Sequence, residues 1–600
     1  MRKFIAIFLG ISTLFLASCS PAKNDSSFEE NSSGSNSASN SVSDLGHTHN
    51  FVKQIAADIY KKADANCRHA TQYYLSCECG EKGAETFDYG YPLECDFSAK
   101  VEEDEYLLST GTCAKVATYF YSCVNCGQMG TDIFSSERYG EHNFSKENPS
   151  LKFLKTEATT ESKEVYYKSC KCGAVGTETF EYGEPVQTYT DDEKRAYAPK
   201  SLTVSLYDAE NSVYGFTYNV SQKPLRPVLQ IVKGNNLNEC EQYYASVTEA
   251  VSYDANNQQF TYYIVKAEVE LEFPYTYTYR VYDKYVGIGS DEATLQTKDT
   301  KATKFTFAHI SDTQGYPAEF GKVLKNTVGS ADFLLHTGDV VESSKYEYEW
   351  EAMLHDNFEY LSKIPVMAIS GNHETTYKNG SNETFKHFNN KIPEQASTLK
   401  GYFYSYVYGN AKFIMLNTND LSADKLTDEQ YNWLVNELKN NDCAWTIVSM
   451  HCPMYGAGQW GADTSKNQQS IALRSQLQGI FAQYGVDIVL QGHDHTVSRT
   501  YPINAMGEVQ LETKENIEGV EYTVNPNGVF YLASGTSGGQ TEKPVIVDTT
   551  NQHLYAYTGK SNKAMWTEFE IDGNMMKVIV KYTDGTNVSV YQTWGIKKSA

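Results

Sequence analysis

Hydrophobic positions change period along this chain, and each change marks a different kind of element. Phe4 to Leu16 form an almost unbroken apolar run, whereas Ser20 to Gly46 hold few apolar residues and many Ser and Asn. From 47 to 186 aromatic and Cys positions recur at a fixed spacing. Short Tyr- and Val-rich runs that alternate in polarity follow at Leu202 to Tyr207, Val213 to Val220, Val228 to Val232, Phe260 to Val265 and Tyr277 to Tyr282, which predicts strands between turns. Beyond 301, short apolar runs precede polar loops and are separated by helical patterns at Glu349 to Leu361, Asp428 to Leu438 and Gln468 to Tyr484. The order strand, polar loop, helix predicts an α/β domain.

Length fits that division, because 600 residues at roughly 150 per domain make about four units. Charged residues at 21% and a mean hydropathy of −0.50 exclude a polytopic membrane protein. The 75 acidic against 51 basic residues give −24, and no basic patch interrupts that balance, so a nucleic-acid partner is not expected.

Arg2 and Lys3 before the apolar run, with small residues after it, read as an export signal over 1–18. Leu16-Ala17-Ser18-Cys19 resembles a bacterial lipobox. The resemblance implies lipidation at Cys19, a protein facing outside the cytoplasm, and membrane contact through that anchor alone. Residues 19–46 are too poor in apolar groups to fold and read as a disordered tether.

Three copies of a unit of 46 to 47 residues fill 47–186. Tyr73 to Gly80 aligns with Tyr119 to Gly127 and Tyr166 to Gly173, and the copies close on Tyr89-Gly90, Tyr139-Gly140 and Tyr182-Gly183. Nine of the 13 Cys lie here, and His49, Cys95 and His142 occupy one register position. Imidazole and thiolate both ligate zinc, whereas His cannot form a disulfide, so that exchange favours structural zinc over disulfides or unbound thiols. The expected sets are His49, Cys67, Cys77, Cys79 in the first copy and Cys95, Cys113, Cys123, Cys126 in the second; Thr160 leaves the third incomplete. These copies resemble small zinc-ribbon-like repeats of bacterial surface proteins, which implies spacing or adhesion to a surface ligand. The segment 195–300 reads as an all-β sandwich, and its place before the last domain resembles the fibronectin-like N-terminal domain of purple acid phosphatases.

Five polar blocks follow apolar runs in 301–600: Ser311-Asp312-Thr313-Gln314, Gly338-Asp339, Gly371-Asn372-His373-Glu374, His451, and Gly492-His493-Asp494-His495. Such a set can hold two divalent metals with a bridging carboxylate. In this order the blocks resemble the calcineurin-like metallophosphoesterase superfamily; Arg499 to Pro502, Gln430 with Trp433-Leu434, and Ser534 to Thr536 with Gly538-Gly539 resemble its purple-acid-phosphatase-like branch. The resemblance implies a four-layer αββα sandwich. It further implies Asp312 and His495 on one metal (Fe, Mn or Zn), Asp339 as bridge, and Asn372, His451 and His493 on the second. A metal-bound hydroxide would attack phosphorus, His373 would protonate the leaving group, and Glu374 would orient His373. Two positions depart from the pattern: Gln314, whose amide oxygen could ligate the first metal weakly or leave its place to water, stands where most of the superfamily has His, and Glu342 where purple acid phosphatases have the Tyr that gives their colour. His309, His336 and His355 read as packing or supporting groups, and Cys443 and Cys452 as buried thiols. Trp350 and Tyr455 suit either a substrate pocket or the core. The competing functional class is a surface adhesion or binding protein carrying a degenerate phosphoesterase fold.

Overall fold

The computed structural model describes residues 48–600 except 114, 376–382, 397–401, 423, 463–467, 540–542, 548, 561 and 600. The expected signal, Cys19 and the tether lie outside the described residues. No helix among the described residues is long and apolar enough to cross a membrane. The chain divides into two compact units, one ending at Glu141 and the other running from His142 to Ala600.

Each repeat is a three-stranded antiparallel sheet, with central strands Thr71–Ser76, Val116–Ser122 and Glu164–Ser169. The central strand runs into a tight turn closed by Gly80, Gly127 or Gly173, all left-handed. In the first two copies a Tyr hydroxyl ties this turn down: Tyr60 to the Gly80 carbonyl at 2.9 Å and Tyr106 to that of Gly127 at 2.8 Å.

The second unit holds the third repeat, a pair of β-sheets and the α/β domain. The third repeat belongs with this unit because its fully buried Glu164 pairs with Arg226 at 2.5 Å, while Arg226 lies 3.6 Å from the Tyr244 ring centroid. All five predicted strands of 195–300 form, in sheets of four and five strands that pack through pairs such as Phe216 and Tyr279, whose ring centroids are 4.9 Å apart.

Beyond residue 301 an eight-stranded sheet faces a seven-stranded one. Strand Lys304–Ile310 shows why: Phe305 and Phe307 point into the core between the sheets, while Ala308 and Ile310 point out toward Phe320, Val323 and Leu324 of helix Pro317–Thr327. In the other sheet Phe413 and Met415 point inward, and Ile414 packs outward in a cluster with Leu434 and Leu477 of helices Asp428–Lys439 and Gln468–Gln483. Helix, sheet, sheet, helix is the expected four-layer order. The helix expected over 349–361 is broken, as Glu347–Trp350, a π-helical turn Glu351–His355 and Phe358–Leu361.

Candidate metal centre

Parallel strands bring their C-terminal ends to one edge of each sheet, and the polar blocks sit there. Lys304–Ile310, Phe333–His336 and Val366–Ala368 run parallel in one sheet; Ala411–Met415, Trp445–Met450, Ile488–Gln491 and Phe530–Ser534 do so in the other. Asp312, Asp339, Asn372, His451, His493 and His495 all follow such ends within a few residues.

The backbone turns sharply at the ligand positions. Asp312, Asp339, His493 and His495 have φ of +52°, +56°, +68° and +53°, a region that costs an L-residue about 1–3 kcal/mol and persists only where surroundings enforce it. The enforcement is visible. Asp312 N donates to Gly338 O at 3.1 Å, Thr313 N to Asp339 O at 2.9 Å, and Gly492 N to His451 O at 3.0 Å. Gly371 is required by close approach, since a Cβ there would lie 2.1 Å from Asp339 Oδ1.

The side chains converge in two groups that share one member. Ligand atoms of Asp339, His451 and His493 lie within 4.8 Å of one another, as do those of Asp312, Asp339 and His495. His451 Nε2 is 3.2 Å from Asp339 Oδ2 and 3.0 Å from Asn372 Oδ1, and His495 Nε2 is 3.2 Å from Asp312 Oδ1. Gln314 Nε2 donates to Asp339 Oδ2 at 3.3 Å, so the amide reaches the shared carboxylate although it replaces an imidazole. Two carboxylates with at most 1% exposure require compensating positive charge. Burial opposes ionisation of Asp339, yet the His451 and His373 charges hold it below the carboxylate range; burial opposes charge on His451, yet Asp339 lifts it to about 9. Oxygen and imidazole donors around buried carboxylates fit divalent metal ions, and Asp339, which belongs to both groups, would be the residue shared between them.

His373 is partly exposed at this edge. Its Nδ1 donates to the Glu342 carbonyl at 2.6 Å, and its Nε2 faces Asp339 Oδ2 at 3.8 Å. Burial lowers its proton affinity but Asp339 and the Glu342 carbonyl more than reverse this, so the ring favours its proton. Glu374 does not orient it, contrary to the sequence expectation. The Glu374 carboxylate instead accepts the backbone N–H groups of Asp339, Val340, Val341 and Gly371 at 2.7–3.3 Å, shaping the loop that presents the bridge. Glu342 keeps its side chain 63% exposed, so the position of the colour-giving Tyr offers no donor to the cluster.

The remaining candidates fall outside the cluster. His309 is bonded to Ser534 and Thr337, and His336 to Thr313 and the Gly338 N–H, as supporting groups. His355 is exposed. Trp350 is fully buried against His387, and Tyr455 packs on Tyr531, so both belong to the core. Cys452 is buried and Cys443 partly so. Two residues carry roles that the motifs did not reveal. Asp494 accepts from the N–H groups of Gly458, Trp460 and Gly461 at 2.7, 2.9 and 3.3 Å, and the Trp460 ring so held lies 5.0 Å from that of His493. The signal was an Asp between two ligating His, facing away from both.

The Cys and His of the repeats regroup. His49, Cys77 and Cys79 form one cluster, and Cys67, Cys95, Cys123 and Cys126 another. Cys67 therefore leaves the set expected for the first repeat, and Cys113 leaves that of the second. The reason is strand length: Cys67 precedes and Cys77 follows Thr71–Ser76, and Cys113 and Cys123 flank Val116–Ser122 likewise, so roughly 20 Å of extended chain separates each pair.

The structure is thus a two-sheet α/β sandwich with two candidate metal-ligand groups, sharing Asp339, at its strand ends. Residues 305–497 match the calcineurin-like phosphoesterase family model. It is 30% identical over 205 residues to purple acid phosphatase 23 of Arabidopsis thaliana, covering 33% of this chain and 39% of that protein. It is 25% identical over 303 residues to acid phosphatase type 7 of Danio rerio, covering 44% of this chain and 65% of the relative. The chain thus spans less than two thirds of either relative. A purple acid phosphatase structure from yellow lupin seeds superposes with a TM-score of 0.55 at 15% identity, over 85% of this chain and 89% of that one, and shares the fold.

Proposed function

We propose that this protein is a metal-dependent phosphoric ester hydrolase. The observation that carries the reading is Asp339, whose carboxylate belongs to both ligand groups with His373 beside it. Asp312 and His495, with Gln314, would hold one ion, and Asn372, His451 and His493 the other. When bound, such a pair polarises the phosphoryl oxygens and supplies an activated water as nucleophile. The chain's own residues do the rest. Asp339 fixes the spacing of the pair, Glu374 fixes Asp339, and the Glu342 carbonyl holds His373 so that its Nε2 proton faces the leaving oxygen. With Glu342 in place of a phenolate, no purple colour is expected. The relatives are named as acid phosphatases; whether this chain prefers monoesters, diesters or nucleotides is set by the loops around the cleft, Trp460 among them. The N-terminal signal and Cys19 favour an exported enzyme tethered by lipid, and the 195–300 sheets a fibronectin-like spacer. The test is a panel of phosphate monoesters and diesters after chelation and return of Mn, Fe or Zn. Turnover that follows the metal supports the proposal; a folded, loaded protein inactive on every ester returns it to a binding role.

A further inference from the structure

The cluster of Cys67, Cys95, Cys123 and Cys126 is distant in sequence from the hydrolase domain and is built from two repeats. Cys67 comes from the first, and the other three from the second. Cys67 Sγ lies 3.4 Å from Cys123 Sγ, and Cys95 Sγ 4.0 Å from Cys126 Sγ, with all four sulfurs within 4.8 Å of one another. A zinc ion with Zn–S bonds of about 2.3 Å places tetrahedral sulfurs about 3.8 Å apart, within the observed spread.

The surrounding backbone is arranged to present these thiols. Asn66 Oδ1 accepts the N–H groups of Arg68 and His69 at 2.8 and 3.1 Å, locking the turn that carries Cys67. That turn is joined to the second repeat without any ion: Leu93 N donates to Asn66 O at 3.0 Å, and Arg68 Nη2 to Cys126 O at 2.9 Å. On the other side Cys123-Val124-Asn125-Cys126-Gly127 closes with Gly127 N on Cys123 O at 2.9 Å, Gly127 having φ +69°.

We propose that Cys67, Cys95, Cys123 and Cys126 form a tetrathiolate zinc site that clasps the first repeat to the second. The ends of the array agree with this rule. The first repeat has no repeat before it, and its own cluster holds only His49, Cys77 and Cys79 among the described residues. The third has no repeat after it, and at the position of Cys67 it carries Thr160, which is exposed. Thr160 is thus no lesion in the third repeat's turn, because it stands at the far end of Glu164–Ser169 from Cys170. The ion makes the relative placing of two small sheets depend on metal, so the repeats act as jointed spacers that stiffen with zinc.

The test is thiol alkylation of the full-length, zinc-loaded protein, read residue by residue by mass spectrometry. All four Cys are expected to be protected and to react together after chelation. Cys67→Ser is expected to expose Cys95, Cys123 and Cys126 while Cys77 and Cys79 stay protected, and Cys67→His to restore protection. Cys113→Ser is expected to leave the second repeat's three Cys protected, which decides the matter even if Cys67→Ser unfolds the unit. The proposal is overturned if Cys67→Ser exposes Cys77 and Cys79 instead, if Cys113→Ser exposes Cys123 and Cys126, or if these sulfurs are found in disulfides with no zinc bound.

Discussion

In the repeats the ligating side chains sit on turns of sheets with three short strands, whereas Asp312, Asp339 and His451 end strands in facing sheets of eight and seven. The repeats bury little: Tyr60, Tyr106 and Phe153 are among the few large side chains under 9% exposed in 48–186. The domain beyond residue 301 buries Phe307, Trp445, Trp566 and Tyr531 completely. The donors differ in the same sense, soft thiolates against carboxylates and imidazoles. A large core holds four of the candidate ligand residues in left-handed backbone and two carboxylates out of water. A sheet of three short strands has too little core for that, and a metal bound there would contribute to the fold itself.

The largest effect that would break this comparison lies at Asp339. Asp339→Asn removes the charge shared by both ligand groups, and metal analysis with turnover assays is expected to find at least one ion lost and activity below detection, with the fold retained. His373→Ala comes next, with both ions kept and turnover of an alkyl ester reduced by about 10² to 10⁴, but less for a nitrophenyl ester whose leaving group scarcely needs a proton. Equal losses on both esters would remove His373 as the acid. Chelation of the intact protein separates the regions directly. Hydrogen exchange is expected to rise across 48–141 and to change little in Lys304–Ile310 and Phe333–His336, and the reverse pattern would contradict the contrast drawn above. The smallest effect is at Gln314, where Gln314→His is expected to tighten retention of one ion against a chelator by up to about tenfold, at the low end of what altering a ligand's surroundings usually does.

The candidate metal centre was legible because its residue types suit metal ligands and the strand ends that carry them are marked by the apolar runs before them. Asp312, Asp339, Asn372, His451, His493 and His495 all arrive where the motifs place them. Adjacency suggests contact between Glu374 and His373, whereas Glu374 turns to the backbone N–H groups of Asp339 to Val341 and Gly371, and His373 to the Glu342 carbonyl. The partition of the Cys was hidden for a different reason. A repeat's spacing gives which positions ligate, but which copy supplies each sulfur depends on strand length in space, and a six-residue strand already separates Cys67 from Cys77. The attachment of the third repeat to the second unit rests on Glu164 and Arg226, 62 residues apart with nothing in either local pattern to pair them. The break in the helix over 349–361 is likewise a tertiary effect: Trp350 lies 3.9 Å from His387 in a stack, and Glu347 is held by His387 and Asn219.

Anomalous diffraction from crystals of the protein loaded with Mn, Fe or Zn tests the central claim most directly. Two peaks about 3.5–4 Å apart, one on each side of the Asp339 carboxylate, with Asp312 and His495 on one and Asn372, His451 and His493 on the other, are the predicted result. A single peak, or a pair that Asp339 does not touch, would contradict it.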